Sequence, residues 1–225
     1  MKPTWFNEIE GDVLYRFDSY LNGDYKSFAD DFYLVHCVSG DNAQGAGFAK
    51  ILNDRYHFRD SLCADLAESF PGFGTDGWTF DRRHCDFFRI PLLKGNDGEY
   101  SAGKIQRIRF KDSIGHIYAT ERCPHILGLV TKHHYYEKAS LYDMRVAIRG
   151  LRERLETIVT YGNDEMLTEI MMPHIGCGLD KLRWEDVKEI IFEELYRLGD
   201  GGNIRVVTVK KADLYTKGEK ANENK

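Results

Sequence analysis

Twice in this sequence an apolar run ends in a glycine-punctuated turn and then opens a helix, and this repetition restricts the fold more than any other feature. FYLVHCV (32–38) is followed by SGDNAQGAG and the helix-like FAKIL (48–52); Leu167 to Met172 is followed by PHIGCGLD and the amphipathic stretch from Trp184 to Leu198. Short apolar runs bounded by polar turns read as buried strands. Glycine lets the main chain approach a ligand without a Cβ in the way, and the helix beyond points free N–H groups and its positive dipole end at any anion there. Neither turn fits GxGxxG or GxxxxGK[ST], which removes the two commonest nucleotide fingerprints. A pyrophosphate held between two loops is the reading that uses both turns.

The rest of the chain keeps the same rhythm. HILGLVT (125–131) reads as a strand, and after it Leu141, Met144, Ile148, Leu151, Leu155 and Ile158 recur at helical spacing, with Ser140 placed to cap the helix. NIRVVTV (203–209) is a final strand after the GDGG turn. Such alternation predicts an α/β layered sheet that takes ligands outside the carboxyl ends of its strands. Residues 1–210 read as one domain. From about Pro71 to Asp112 glycines and aromatics interrupt the pattern, predicting a loop or hairpin excursion with RIRF (107–110) as an extra strand, and residues 211–225 read as a polar, disordered tail.

Composition then removes several function classes. A net charge of −5 argues against a broad basic face for duplex nucleic acid, and no apolar run reaches membrane-spanning length. Five cysteines without a CxxC pair, and no secretory signal, predict reduced thiols in an intracellular protein, cytoplasmic or nuclear. His116, Cys123, His125, His133 and His134 fit no standard zinc spacing, so no metal is expected.

EGDVL (10–14), HCVSGDNAQGAGFA (36–49), LVTK (129–132), LYDMRVAIRGL (141–151) and MPHIGCGLDKLRWEDV (172–187), in this order, resemble the macrodomain family. The resemblance is closest to the branch containing the terminal ADP-ribose protein glycohydrolase. It implies a macrodomain-like layered sheet with helices on both faces, an ADP-ribose ligand or ADP-ribosylated protein as partner, and no cofactor. Carried over residue by residue, it implies that Asp12 accepts a hydrogen bond from the adenine amino group. Gly45, Ala46, Gly47 and Phe48 match the first diphosphate loop; Ile175, Gly176, Cys177, Gly178 and Leu179 match the second. Lys132, after Thr131, matches a lysine nucleophile that attacks the anomeric carbon of the distal ribose, and Asp180 an aspartate assisting proton transfer. Ser39 stands where most macrodomains carry a distal-ribose asparagine, with Asp41 beside it. The last strand offers no aromatic to stack on the adenine, which leaves Tyr33, Phe48 or Tyr215 for that contact, or none.

Each assignment has an ordinary structural counterpart. Lysines at strand ends are mostly solvated charges, and an amine with a reference pKa of about 10.4 attacks carbon only after losing a proton. Asp180 could cap a helix starting near Leu182, Asp12 could be a turn carboxylate, and Cys177 could simply be packed. Three functions stay open: a hydrolase removing ADP-ribose from acidic side chains or deacylating O-acyl-ADP-ribose; an ADP-ribose 1″-phosphate phosphatase or DNA ADP-ribosyl hydrolase; and a non-catalytic reader of ADP-ribose.

Overall fold

The structure is a computed structural model that describes residues 3–23, 31–40, 43–61, 78–81, 86–89, 92–94, 100–102, 106–108, 114–119, 123–161 and 167–211. Along the main sheet the strands are β1 (Phe6–Gly11), β2 (Asp31–Ser39), β8 (Ile117–Tyr118), β9 (Ile126–Lys132), β10 (Thr168–Pro173) and β11 (Ile204–Lys211). The described helices given bounds are α1 (Val13–Leu21), α2 (Gly47–Tyr56), α3 (Leu141–Tyr161) and α4 (Trp184–Asp200). Strand order is β1-β11-β10-β2-β9-β8, parallel from β1 to β9, with β8 antiparallel on the edge.

Central strands are apolar on both faces because helices cover both. Along β11 Val206 packs into one core and Val207 into the other, and along β10 Ile170 and Met171 do the same. One core gathers Met144, Ala147, Ile148, Leu151 and Leu155 of α3 with Val187, Ile190, Ile191 and Leu195 of α4; the opposite core is built by Val13, Leu14, Phe17 and Tyr20 of α1 with Leu52 of α2. The α3 stripe has the three-and-four spacing that puts one face of a helix on a sheet. Burial of each such side chain contributes about 1.5–3 kcal/mol, and truncating a fully buried one such as Leu151 to alanine would cost about 2–5 kcal/mol. Ser140 caps α3 as its sequence predicts: its Oγ accepts from Asp143 N at 3.2 Å, while the Asp143 carboxylate accepts from Ser140 N at 2.8 Å.

One polar group inside the sheet is deliberately satisfied. Glu169 of β10 is 2% exposed and accepts from Arg16 at 3.0 Å and from the Tyr20 hydroxyl at 2.7 Å, both on α1. This ion pair fixes α1, and so the end of β1 that precedes it, against the centre of the sheet.

Strands β3 (Trp78–Asp81), β4 (Asp86–Arg89) and β7 (Gln106–Ile108) form an antiparallel sheet, and β5 (Leu92–Lys94) pairs with β6 (Tyr100–Ala102). The expected RIRF strand corresponds to β7, shifted by one residue at its start. Of the tail expected at 211–225, Lys211 ends β11 and residues 212–225 lie outside the described residues. Among the described residues no helix is long and apolar enough to cross a membrane.

The connection from β9 through α3 to β10 carries the chain across β2, from one neighbour to the other. Consequently Lys132, at the end of β9, and the turn after β10 stand on either side of the end of β2. A crevice at such a reversal is where open parallel sheets bind ligands.

Candidate functional site

The first glycine loop leaves β2 at Ser39, which is buried and in register with Lys132 across the β2–β9 pair. Gly40 N donates to Lys132 O at 2.8 Å, and the Tyr118 hydroxyl donates to Gly40 O at 2.8 Å, so the edge strand β8 anchors the start of the loop. Gly45, Ala46 and Gly47 are exposed, and Ala46 forms the N-cap of α2 with no side chain closing it. Uncapped N–H groups and the dipole make that end suited to an anion. Gly47 has a φ of +63°, and a Cβ there would lie 3.2 Å from Leu179 Cδ1. The first loop therefore touches the second.

The second loop follows β10. Ile175 is buried in the α3–α4 core, and Gly176, at φ +73°, is packed so closely that a Cβ would lie 2.7 Å from Met144 Cε. Leu182 N donates to Gly176 O at 3.0 Å and closes the loop on itself. Cys177 is half-buried; burial pushes its thiol up to about 11, and the thiol donates to Ile175 O at 3.4 Å, so it is a packed thiol and not a thiolate. Gly178 and Leu179 are exposed at the tip.

This loop delivers Asp180 to the lysine. Lys132 Nζ lies 2.7 Å from Asp180 Oδ1, with side-chain exposures of 13% and 8%, across 48 residues of sequence. The same carboxylate oxygen accepts from Ala139 N at 3.2 Å, which ties the segment after β9 to the second loop. Asp180 is thus no helix cap: α4 begins at Trp184, not near Leu182, and Arg183 is its N-cap without a side-chain bond. Nor is Lys132 a solvated surface charge. Thr131, fully buried, turns its hydroxyl to Val38 O at 3.4 Å.

Asp12 lies at the end of β1 and is the N-cap of α1: Oδ1 accepts from Leu14 N at 2.8 Å and from Tyr15 N at 3.4 Å. Capping occupies one oxygen, and the residue is exposed. Phe48, in the first turn of α2, packs edge-on to His36 and stays at the loop. Tyr33 does not reach the site. It sits in the first half of β2, away from the carboxyl end, and donates to Asp31 Oδ2 at 2.7 Å. Asp41 and Tyr215 lie outside the described residues.

No protein-family model matches the chain. The ADP-ribose glycohydrolase OARD1 of Bos taurus is 26% identical over 182 residues, covering 81% of this chain and 86% of that protein; the Homo sapiens protein of the same name is 25% identical over the same length. The macrodomain of Thermus aquaticus DarG superposes with a TM-score of 0.52 at 17% identity, over 92% of this chain and 98% of that one. The chain has the macrodomain fold. Its similarity to the two glycohydrolases runs over four-fifths of its length.

Within this fold one residue beside the pair, and one behind it on the same strand, were not singled out by the sequence. Cys37 is held up at about 12 by burial and by the Asp180 carboxylate, and it contacts Thr131 and the Gly176 backbone. It forms the floor on which β9 and the second loop meet. Its place one residue before Val38, on the opposite face of the strand, is the signal that could have found it. His36, on the other face, is 1% exposed, and neither ring nitrogen makes a hydrogen bond of ordinary geometry; burial brings its pKa down to about 3. The histidines and cysteine considered for zinc are dispersed: His125 stacks on Phe32 and Cys123 donates to Tyr56 O. Among the described residues no three His, Cys, Asp or Glu gather in a way that could hold a metal ion.

Proposed function

We propose that this macrodomain is an ADP-ribosyl hydrolase that removes ADP-ribose from acidic side chains or deacylates O-acyl-ADP-ribose. The observation that carries the reading is the 2.7 Å Lys132–Asp180 pair, largely withdrawn from water at the carboxyl edge of the sheet. A reader of ADP-ribose needs glycine loops; it has no use for a sheltered amine beside a carboxylate. The OARD1 relatives, named as ADP-ribose glycohydrolases, support the same reading.

ADP-ribose would lie with its diphosphate between Gly45–Phe48 and Ile175–Leu179, its adenine toward Asp12 and its distal ribose toward Ser39 and Lys132. Asp180 takes a proton from the ammonium, and the freed Nζ lone pair attacks C1″. As the N–C1″ bond forms, the C1″–O bond breaks and its electron pair leaves on the acceptor carboxylate, which is stable as an anion and needs little acid assistance. Water then cleaves the lysine adduct: its oxygen bonds to C1″ as the C1″–N bond breaks and returns its electron pair to Nζ, one water proton is released to solvent, and Asp180 returns the proton it holds to Nζ.

A panel of glutamate-, serine- and thymidine-linked ADP-ribose with ADP-ribose 1″-phosphate tests the reading. Release from the glutamate ester is expected. Release only from thymidine or only from the 1″-phosphate would transfer the function to the DNA-directed or phosphatase class, and release from none would leave a reader.

A further inference from the structure

Most of the large apolar side chains left in water lie on two segments that flank the lysine–aspartate pair. Of the eight large hydrophobic residues exposed among the described ones, five are Tyr135, Tyr136, Leu141, Tyr142 and Leu179, with the three tyrosines 66%, 70% and 74% exposed. They occupy two segments, 133–142 and 178–183, that are joined where Ala139 N meets Asp180 Oδ1 at 3.2 Å. Two of the tyrosines pack on neighbours: Tyr135 lies edge-on to Tyr136 at 5.4 Å, and His134 stacks on Tyr136 at 5.2 Å. Clustered aromatic surface with a polar surround marks an interaction site.

The charges of these segments are sorted by sign. Glu137 Oε2 is turned inward to accept from His133 N at 3.1 Å and His134 N at 3.0 Å; Asp143 is spent on the α3 cap, and Asp180 on Lys132. Lys138 and Lys181 are exposed, and Arg183 is 78% exposed with Asp186 alongside at 3.2 Å. A chain of net charge −5 thus presents cations around the entrance to its lysine.

We infer that this rim is an acceptor subsite, which grips an acidic polypeptide segment flanking the ADP-ribosylated side chain. The inference rests on the acidic-acceptor reading above. With ADP-ribose filling the glycine loops, whatever is esterified at C1″ must leave past Lys132 and over these residues. Tyrosine rings supply apolar contact to a peptide, and the lysines complement the carboxylates around a modified glutamate. A nucleic acid strand fits less well, because one face of Tyr136 is already covered by His134 and the cations are too few to track a phosphate backbone.

The test uses two ADP-ribosyl-glutamate peptides, one flanked by Asp and Glu and one by Gly and Ser. Fluorescence anisotropy with Lys132→Arg, and kcat/KM with the wild type, are both recorded. The acidic peptide should be favoured by roughly three- to tenfold at low salt, as a few exposed ion pairs would give, with the preference shrinking as salt rises. Lys138→Glu should reverse the preference and Tyr136→Ala should weaken both peptides, with neither altering affinity for free ADP-ribose or turnover of O-acyl-ADP-ribose. Equal affinity for the two peptides, or tighter binding of a thymidine-linked oligonucleotide, would overturn the inference. Peptide binding requires no turnover, so loss of the rim preference leaves glutamate-ester release by the wild type standing, and absence of release leaves the preference measurable.

Discussion

Replacing Lys132 by alanine separates chemistry, binding and stability in one variant. The amine makes one contact that matters in the resting protein, the 2.7 Å bond to Asp180, whose carboxylate would be left with only the 3.2 Å bond from Ala139 N among its described partners. Breaking a deeply buried pair costs about 3–5 kcal/mol, but exposures of 13% and 8% leave both ends some solvent, so about 2–3 kcal/mol is expected here. For a chain of this size that corresponds to a fall in Tm of about 4–12 °C. Because the loss comes from stranding Asp180, the Lys132→Ala/Asp180→Ala double variant should melt no lower than the worse single variant and far short of the sum. Turnover of the glutamate ester should fall by roughly three decades or more, each decade being about 1.4 kcal/mol of transition-state stabilisation, whereas calorimetric affinity for ADP-ribose should stay within about tenfold. Lys132→Arg keeps a cation opposite Asp180 and should recover most of the Tm while remaining inactive, since a guanidinium stays protonated. Near-normal hydrolysis by Lys132→Ala would refute the nucleophile, and strictly additive melting shifts would refute the stranded-carboxylate account.

Further outcomes follow from neighbouring residues. Gly47→Glu should abolish the rise in Tm that ADP-ribose causes, because it puts a side chain at a φ of +63° against Leu179 and a negative charge beside the diphosphate; undiminished calorimetric binding would remove the first loop from the site. Asp12→Ala should lose about 1 kcal/mol of stability with the α1 cap and a similar amount of ADP-ribose affinity, sparing ribose 5-phosphate. Asp12→Asn keeps the cap, so calorimetry on that variant isolates the adenine contact. His36, neutral in the folded protein down to about pH 3, must shed the proton that it would bind in the unfolded chain below about 6.5. Stability tied to His36 is therefore present above pH 6.5 and is lost as pH falls toward 3, amounting to roughly 2 kcal/mol by pH 5. His36→Leu should flatten that acid limb in denaturant melts, and an unchanged slope would contradict its burial as a neutral ring.

Much of the sheet is legible in the sequence because its central strands are buried on both faces. FYLVHCV, HILGLVT and NIRVVTV become β2, β9 and β11 within one or two residues, and the stripe from Met144 to Leu155 becomes α3. The first strand and helix escape the same reasoning. In β1, FNEIEG alternates buried and open positions with two glutamates facing out, so it lacks the apolar run of an interior strand. Helix α1 is short, and its start is marked by Asp12, a residue whose resemblance-based role hid its capping role. The glycine loops are visible as loops, but their contact through Gly47 and Leu179 is a tertiary fact. Likewise, nothing in the spacing of Lys132 and Asp180 joins them; the resemblance alone names both, and the crossover over β2 is what brings them together.

Gly176 leans on Met144, and Met144 belongs to the solvent-free interior of α3. The backbone that would meet the diphosphate is therefore shaped by core packing before any ligand arrives, and little ordering entropy remains to be lost on binding. A cavity-forming change inside the core, such as Met144→Ala, would on this account behave kinetically like an active-site lesion. By letting the Gly176 turn sag, it would raise KM and, through the attached Asp180, lower kcat as well, although Met144 itself never meets the substrate.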